Sequence, residues 1–315
     1  MPSYDLLVAA PNSAIDSYYD LASFQLGQVN KARHAFHTAG GKGFNAARAM
    51  KNLGGRAMCT GVVAGSAGTF ITQELDREGI AHDLVWSDGE TRRCNTIHFP
   101  GQADTTIILE NGSHVNEETV TVFSQRILHH CTTAPFTALV GSLPVGFPPA
   151  FYAHTIRQLK ALGARVCLDS SGLPLQLAAE AGPWMIKVNR EEFTTVFQDG
   201  AAPDNFLSDR HIFQRLHEAG LEYLVITSGK DGAYLYTRDA AIHVQTPVQQ
   251  MVSSAGSGDT FLSGLLLELG RGHSLKAAAG LASAAAAANL LELGCGIFQR
   301  PMVDDLLEKT HIQFL

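Results

Sequence analysis

The chain has 315 residues, 45% of them hydrophobic, which is enough for one large α/β domain with an appendage or for two small domains. A net charge of −7 without a polybasic run argues against nucleic acid or an acidic membrane surface as the main partner. The N-terminal segment lacks the basic-then-apolar order of a secretory signal, and the alanine-rich stretch from Ala277 to Leu291 is too short and too weakly apolar to span a bilayer, so a cytoplasmic protein is expected.

Taken in chain order, short apolar runs with strand composition alternate with longer runs of helical period. The strands are predicted at Leu6–Ala10, Met58–Ala64, Phe136–Val140, Arg165–Asp169, Met185–Val188 and Leu224–Thr227. The helices are predicted at Phe44–Leu53, Thr69–Glu78, Pro149–Leu162, Asp209–Ala219, Asp259–Leu269 and Ser274–Leu291, most of them ended by glycine. Such alternation predicts a mostly parallel sheet covered by helices. Two stretches break the rhythm, roughly Asp16–Thr38 and Arg92–Leu109, the second with a turn at Pro100-Gly101-Gln102. Neither has a helix between its extended parts, so both are expected to pair into a small lid sheet that excludes water from a reaction at the strand ends.

Two glycine-rich turns each lead into a helix. In Ala255-Gly256-Ser257-Gly258-Asp259-Thr260-Phe261, Gly256 and Gly258 allow backbone N–H groups to converge, and the helix start adds unpaired donors and the positive end of its dipole. That makes an anion cradle. Asp259 at the same junction reads in two ways, as a general base that takes a proton from an attacking hydroxyl or as a cap of the helix led by Phe261 and Leu262. The other turn, Gly40-Gly41-Lys42-Gly43-Phe44-Asn45, is neither a P-loop nor a dinucleotide fingerprint. The five cysteines form no C-x-x-C pair, and reduced thiols are expected rather than a disulfide framework or zinc site.

The two turns, in this order, resemble the paired signatures of the ribokinase-like sugar kinases, the phosphofructokinase B family. Between them stand Glu90-Thr91-Arg92, Gly141-Ser142-Leu143-Pro144, Leu168-Asp169-Ser170-Ser171-Gly172, Lys187-Val188-Asn189-Arg190-Glu191-Glu192 and Thr227-Ser228-Gly229-Lys230-Asp231-Gly232. The chain is most similar to the branch of tagatose-6-phosphate kinase and 1-phosphofructokinase, through Asn12…Ile15-Asp16, Gly-Gly-Lys-Gly and Glu-Thr-Arg with a nearby cysteine.

The resemblance implies a three-layer α/β/α fold with a small β lid in one kinase domain, and phosphorylation of a sugar phosphate by ATP. It assigns Asp16, Gly40, Gly41 and Asn45 to the sugar hydroxyls, and Lys42, Arg92 and Ser142 to the phosphate already on the substrate. Lys187 is implied for the ATP phosphates, Thr227, Gly229 and Gly232 for the border of the nucleotide, and Asn189 and Glu192 for Mg²⁺ held through water. Asp259 is the implied base, and Gly256, Ser257 and Gly258 the implied anion hole. A monovalent cation and pairing of two chains through their lids also follow from the resemblance. The chain departs from the family at Ser13, Val188 and Ser228, where proline, proline and leucine are usual. A kinase of a free sugar or nucleoside, and a non-catalytic sugar-phosphate sensor, are the competing readings.

Overall fold

The computed structural model describes residues 3–99, 105–197 and 206–315, so the expected turn at Pro100-Gly101-Gln102 lies outside the described residues. Its strands form two sheets. In the larger, β1 (Leu6–Ala10) lies between β4 (Ala57–Ala64) and β9 (Phe136–Val140), and β10 (Arg165–Asp169), β11 (Met185–Asn189) and β12 (Tyr223–Thr227) follow outward from β9, all parallel. The short strands β5 (Ala81–His82) and β6 (Val85–Ser87) both pair with β4. Beyond β12 the sheet turns antiparallel through β13 (Ala233–Tyr236), β14 (Ala241–Gln245) and β15 (His311–Phe314).

The strand side chains alternate between two cores. Leu6, Val8 and Ala10 of β1 join a cluster with α1 (Lys42–Asn52), α2 (Gly65–Glu78), α8 (Ser257–Gly270), α9 (Leu275–Leu290) and α10 (Arg300–Leu307). Leu7 and Ala9 face the opposite cluster, with α3 (Glu117–His130), α4 (Phe151–Ala161), α5 (Gly172–Ala179), α6 (Arg190–Phe197) and α7 (Phe206–Glu218). Burial on both sides explains why these strands read as continuous apolar runs. The fold is thus the three-layer α/β/α arrangement with a mostly parallel sheet. Among the described residues no helix is long and apolar enough to cross a membrane.

The two stretches that break the sequence rhythm form the second sheet. β2 (Ala14–Leu21) pairs antiparallel with β3 (Ala32–Gly40) and parallel with β7 (Arg92–His98), which pairs antiparallel with β8 (Thr106–Leu109). The register sets Asp16 between Thr38 and Cys94. Three residues, Pro11–Ser13, separate β1 from β2, so the second sheet starts at the C-terminal ends of the parallel strands. Crevices at those ends are where open α/β sheets bind ligands.

Candidate active site

The start of α8 supplies the first element. Gly256 caps the helix with φ 77°, and a Cβ there would come within 2.6 Å of the Cys295 Cβ. A Cβ at Gly258 would stand 2.7 Å from Lys187 Nζ, so the absence of side chains lets an ammonium approach this backbone. Ser257 is engaged locally, its N–H donating to the Ser254 carbonyl at 3.3 Å and its hydroxyl to the same oxygen at 2.8 Å. Of the three residues expected to form the anion hole, Ser257 is therefore turned toward its own loop.

Asp259 follows in the first turn of α8 and is 8% exposed. Its Oδ2 accepts a hydrogen bond from Asn45 Nδ2 at 3.3 Å, and the same nitrogen donates to Asp16 Oδ2, also at 3.3 Å. One amide thus bridges two carboxylates from opposite ends of the chain. Gly41 N–H adds a 3.4 Å bond to Asp16, and a Cβ at Gly40 would fall on that carboxylate. Gly41 has φ 89°, which lets the chain leave β3 and enter α1 within one residue. Burial pushes the Asp259 carboxyl up to about 7, with Lys42 opposing, Asp169 adding, and Lys187 and Asn45 opposing. Burial also raises Asp16, against the pull of Asn45, Arg48, Gly41 and Arg92.

Next to this pair lies a buried ionic knot. Asp169, at the end of β10 and fully buried, accepts a hydrogen bond from Lys187 Nζ at 2.6 Å and a short one from Lys42 Nζ. Lys42 also stands 3.7 Å from Glu192 Oε1. Burial alone would raise Asp169, but Lys187 and Lys42 hold it down at about 2. Burial likewise disfavours the Lys42 ammonium, yet Asp169, Asp259 and Glu192 keep its pKa above the usual lysine value. Lys42 is consequently cationic, and the shared Asp169 carboxylate fixes both lysines in direction.

Asn189 and Glu192 form a reciprocal cap at the start of α6. The Glu192 N–H donates to Asn189 Oδ1 at 2.8 Å, and the Asn189 N–H donates to Glu192 Oε2 at 2.9 Å. Arg92, the first residue of β7, donates from Nη2 to the Asn12 carbonyl at 3.4 Å, and Asn12 Nδ2 donates to Ser142 Oγ at 2.9 Å. The buried Nε of Arg92 has no partner. The residues that line a small cavity beside it include Asn12, Ser13, Asp88, Glu90 and Ser113. Thr227 ends β12, and Gly229 and Gly232, with φ 55° and 82°, bound a 3₁₀ turn closed by the Ser228 N–H on the Gly232 carbonyl at 2.7 Å.

Lys42 and Arg92, expected at one phosphate, have no partner in common: Lys42 joins Lys187 at Asp169, whereas Arg92 joins Asn12 and the Ser142 side. The sequence reading gave Asp169 no role, although a carboxylate ending the apolar run Val166-Cys167-Leu168 marks a strand end with a buried charge to compensate. It also passed over Arg48, the one cation on the apolar side of α1, which bonds to Glu78 through Nε at 2.7 Å and Nη2 at 2.8 Å.

The family of pfkB carbohydrate kinases matches residues 10–301. Among solved structures, phosphofructokinase-2 from Escherichia coli in complex with substrates and products superposes with a TM-score of 0.89 at 22% identity, over 96% of this chain and 98% of that one. A possible 1-phosphofructokinase from Thermotoga maritima gives 0.88 at 20% identity, over 98% and 99%. Arabidopsis thaliana ribokinase complexed with ribose and ATP gives 0.74 at 20% identity, over 97% and 99%. At these identities the structural likeness establishes the fold, and the family match establishes the chemistry. The chain belongs to the pfkB family of carbohydrate kinases and is an ATP-dependent sugar kinase.

Proposed function

We propose that this kinase transfers the γ-phosphoryl group of ATP to a hydroxyl of a sugar phosphate, with tagatose 6-phosphate or a fructose phosphate as the substrate class. The observation that carries the reading is the Asn45 bridge between Asp16 and Asp259, which sets a carboxylate for sugar hydroxyls beside a base. The unpartnered Arg92 Nε beside a small cavity favours a substrate that already bears an anion, since a buried guanidinium donor left unpaired is costly.

In this reading Asp16 and the Gly40–Gly41 backbone orient the sugar. Asp259 accepts the proton of the attacking hydroxyl as its oxygen moves in line on the γ-phosphorus. Lys187 and Lys42, aimed by Asp169, oppose the charge that spreads over the phosphoryl oxygens, with Gly258 leaving the backbone open to them. This moves Lys42 from the substrate's existing phosphate to the one in transfer. Arg92 and Ser142 keep the existing phosphate, and Thr227, Gly229 and Gly232 border the nucleotide.

Among the described residues no cluster of three or more His, Cys, Asp or Glu side chains could cage a metal. That suits Mg²⁺, which keeps much of its water and leans on substrate phosphates. Asn189 and Glu192 would hold it through water, for Glu192 Oε1 lies outside the cap. When bound, the ion neutralises phosphoryl charge. A monovalent cation is a further proposed ligand, as Escherichia coli phosphofructokinase-2 has been solved with potassium.

The test is ADP release with Mg·ATP against a panel of phosphorylated and unphosphorylated ketoses, aldoses and nucleosides. Turnover confined to a sugar phosphate, with Arg92→Gln raising KM for that sugar and leaving KM for ATP unchanged, supports the reading. Turnover on an unphosphorylated compound, indifferent to Arg92, replaces it with the free-sugar or nucleoside reading.

A further inference from the structure

The guanidinium of Arg48 is 5% exposed, and each of its N–H donors has an acceptor. Nε and Nη2 grip the two oxygens of Glu78, Nη2 also donates to the Ala39 carbonyl at 2.6 Å, and Nη1 donates to the Cys295 carbonyl at 3.1 Å. The second Nη1 donor goes to Asn45 Oδ1 at 3.3 Å. With five donors committed, the planar group cannot rotate without breaking at least one bond.

Asn45 is the residue on which this rigidity acts. A primary amide can turn over at little intrinsic cost, and its two ends then exchange donor for acceptor. Turned over, Asn45 would set its oxygen against Asp16 and Asp259 and its NH₂ against Arg48, which is unfavourable at every contact when the two carboxylates are ionised. Around Asn45 Oδ1 stands a cation; around Nδ2 stand two carboxylates.

We infer that Arg48, clamped by Glu78, is a positioning residue that fixes the Asn45 amide with its NH₂ toward both Asp16 and Asp259. The inference rests on the proposed roles of those two carboxylates. Arg48 touches neither the sugar nor the nucleotide in this scheme and acts through Asn45. It also ties the end of β3, at Ala39, and the segment after α9, at Cys295, to α1, so the orientation of the amide depends on all three being in place. A staple that only held these elements together would have no need to reach Asn45.

The test uses full-length protein labelled with ¹⁵N in the asparagine side chains, with the Asn45 NH₂ signals identified by their disappearance in Asn45→Ala. In the wild-type protein those signals are expected to move with pH as the groups around Nδ2 titrate, Asp259 facing Lys42, Lys187 and Asp169 and Asp16 facing Arg92 and Cys94. In Arg48→Lys the NH₂ pair is expected to broaden or double and to lose much of that response, with far-UV circular dichroism unchanged. Kinetics with fructose 6-phosphate and tagatose 6-phosphate should show KM for the sugar raised about tenfold and KM for ATP unmoved, and Arg48→Lys should add nothing in an Asn45→Ala background. If Arg48→Lys does not fold, Glu78→Gln is measured in its place, with changes expected in the same direction. Unchanged Asn45 signals in a folded variant, or a sugar effect that persists in full without Asn45, overturns the inference. If neither sugar turns over, the same kinetics are taken on fructose 1-phosphate; the proposed substrate class fails if all three are inert, and the NMR arm still decides the role of Arg48.

Discussion

At the scale of single residues, the fold treats two carboxylates in opposite ways. Asp169 is buried between two ammonium groups and stays ionised; Asp259 is buried with weaker compensation and titrates near 7. A base poised near working pH is the condition for general-base catalysis, so kcat/KM should rise with pH through about 7 and level off above it. Asp259→Asn is expected to lower kcat by about 10²–10⁴-fold and to leave ATP binding intact, as read by nucleotide titration. The same residue carries a stability signature. Because its folded pKa lies above the unfolded value, the native state binds the extra proton, and stability falls as pH rises from the unfolded pKa to about 7. Asp259→Asn removes that loss, so its Tm should exceed that of the wild-type protein at pH 8, with the gap closing toward pH 5. Equal melting points across this range would show that Asp259 titrates normally.

At the scale of elements, the same helix start contains two glycines with different duties. A side chain at Gly256 faces both φ 77° and the Cys295 backbone at 2.7 Å, so Gly256→Ala should cost about 1–3 kcal/mol of stability in a denaturant titration. Gly258 has no positive φ, and its added Cβ meets only the movable end of Lys187. Gly258→Ala should therefore fold, with Tm lowered only as far as Lys187 is pushed off Asp169, while ATP affinity and kcat drop. Elements of this kind were legible because glycine before an apolar helix has few other uses. The parallel strands were legible for a related reason, since burial on both faces leaves uninterrupted apolar runs such as Leu6–Ala10 and Phe136–Val140. The short helices α5, α6 and α10 escaped notice because eight residues give only two turns of period, and α5 carries Pro174 within them. The antiparallel strands β13–β15 depend on pairing with their neighbours, with residues such as His243 and Gln313 that carry no strand signal of their own. Of the residues named by a motif, Asp16, Asn45 and Asp259 share hydrogen bonds and Lys42 and Lys187 share Asp169, while Arg92 stands apart from Lys42; Asp169 and Arg48 became visible only through their partners. A charge that matters because of what lies opposite it in space leaves no periodic trace in the sequence.

At the scale of the molecule, the second sheet ends in an apolar edge. On the face that bears Asp16 and Cys94, Ile107 and Leu109 of β8 are 46% and 62% exposed. We propose that two chains pair through these sheets, burying that face. Sedimentation should give a mass twice that of one chain, and Ile107→Lys with Leu109→Lys should give a monomer; a wild-type monomer at micromolar concentration would set the proposal aside.

The two faces of the main sheet are also completed at different times. The core on the α3–α7 side closes with segments up to β14, but the core around α1 waits for Phe261, Leu265 and the helices α9 and α10. During synthesis α1 can pack on β1 and β4 early, but it lacks its cover from α8 until that much later helix has left the ribosome. Partial chains ending before α8 would thus expose a broad sticky surface and lack Asp259 at once, so that α8, α9 and α10 both shelter the nascent protein and switch it on.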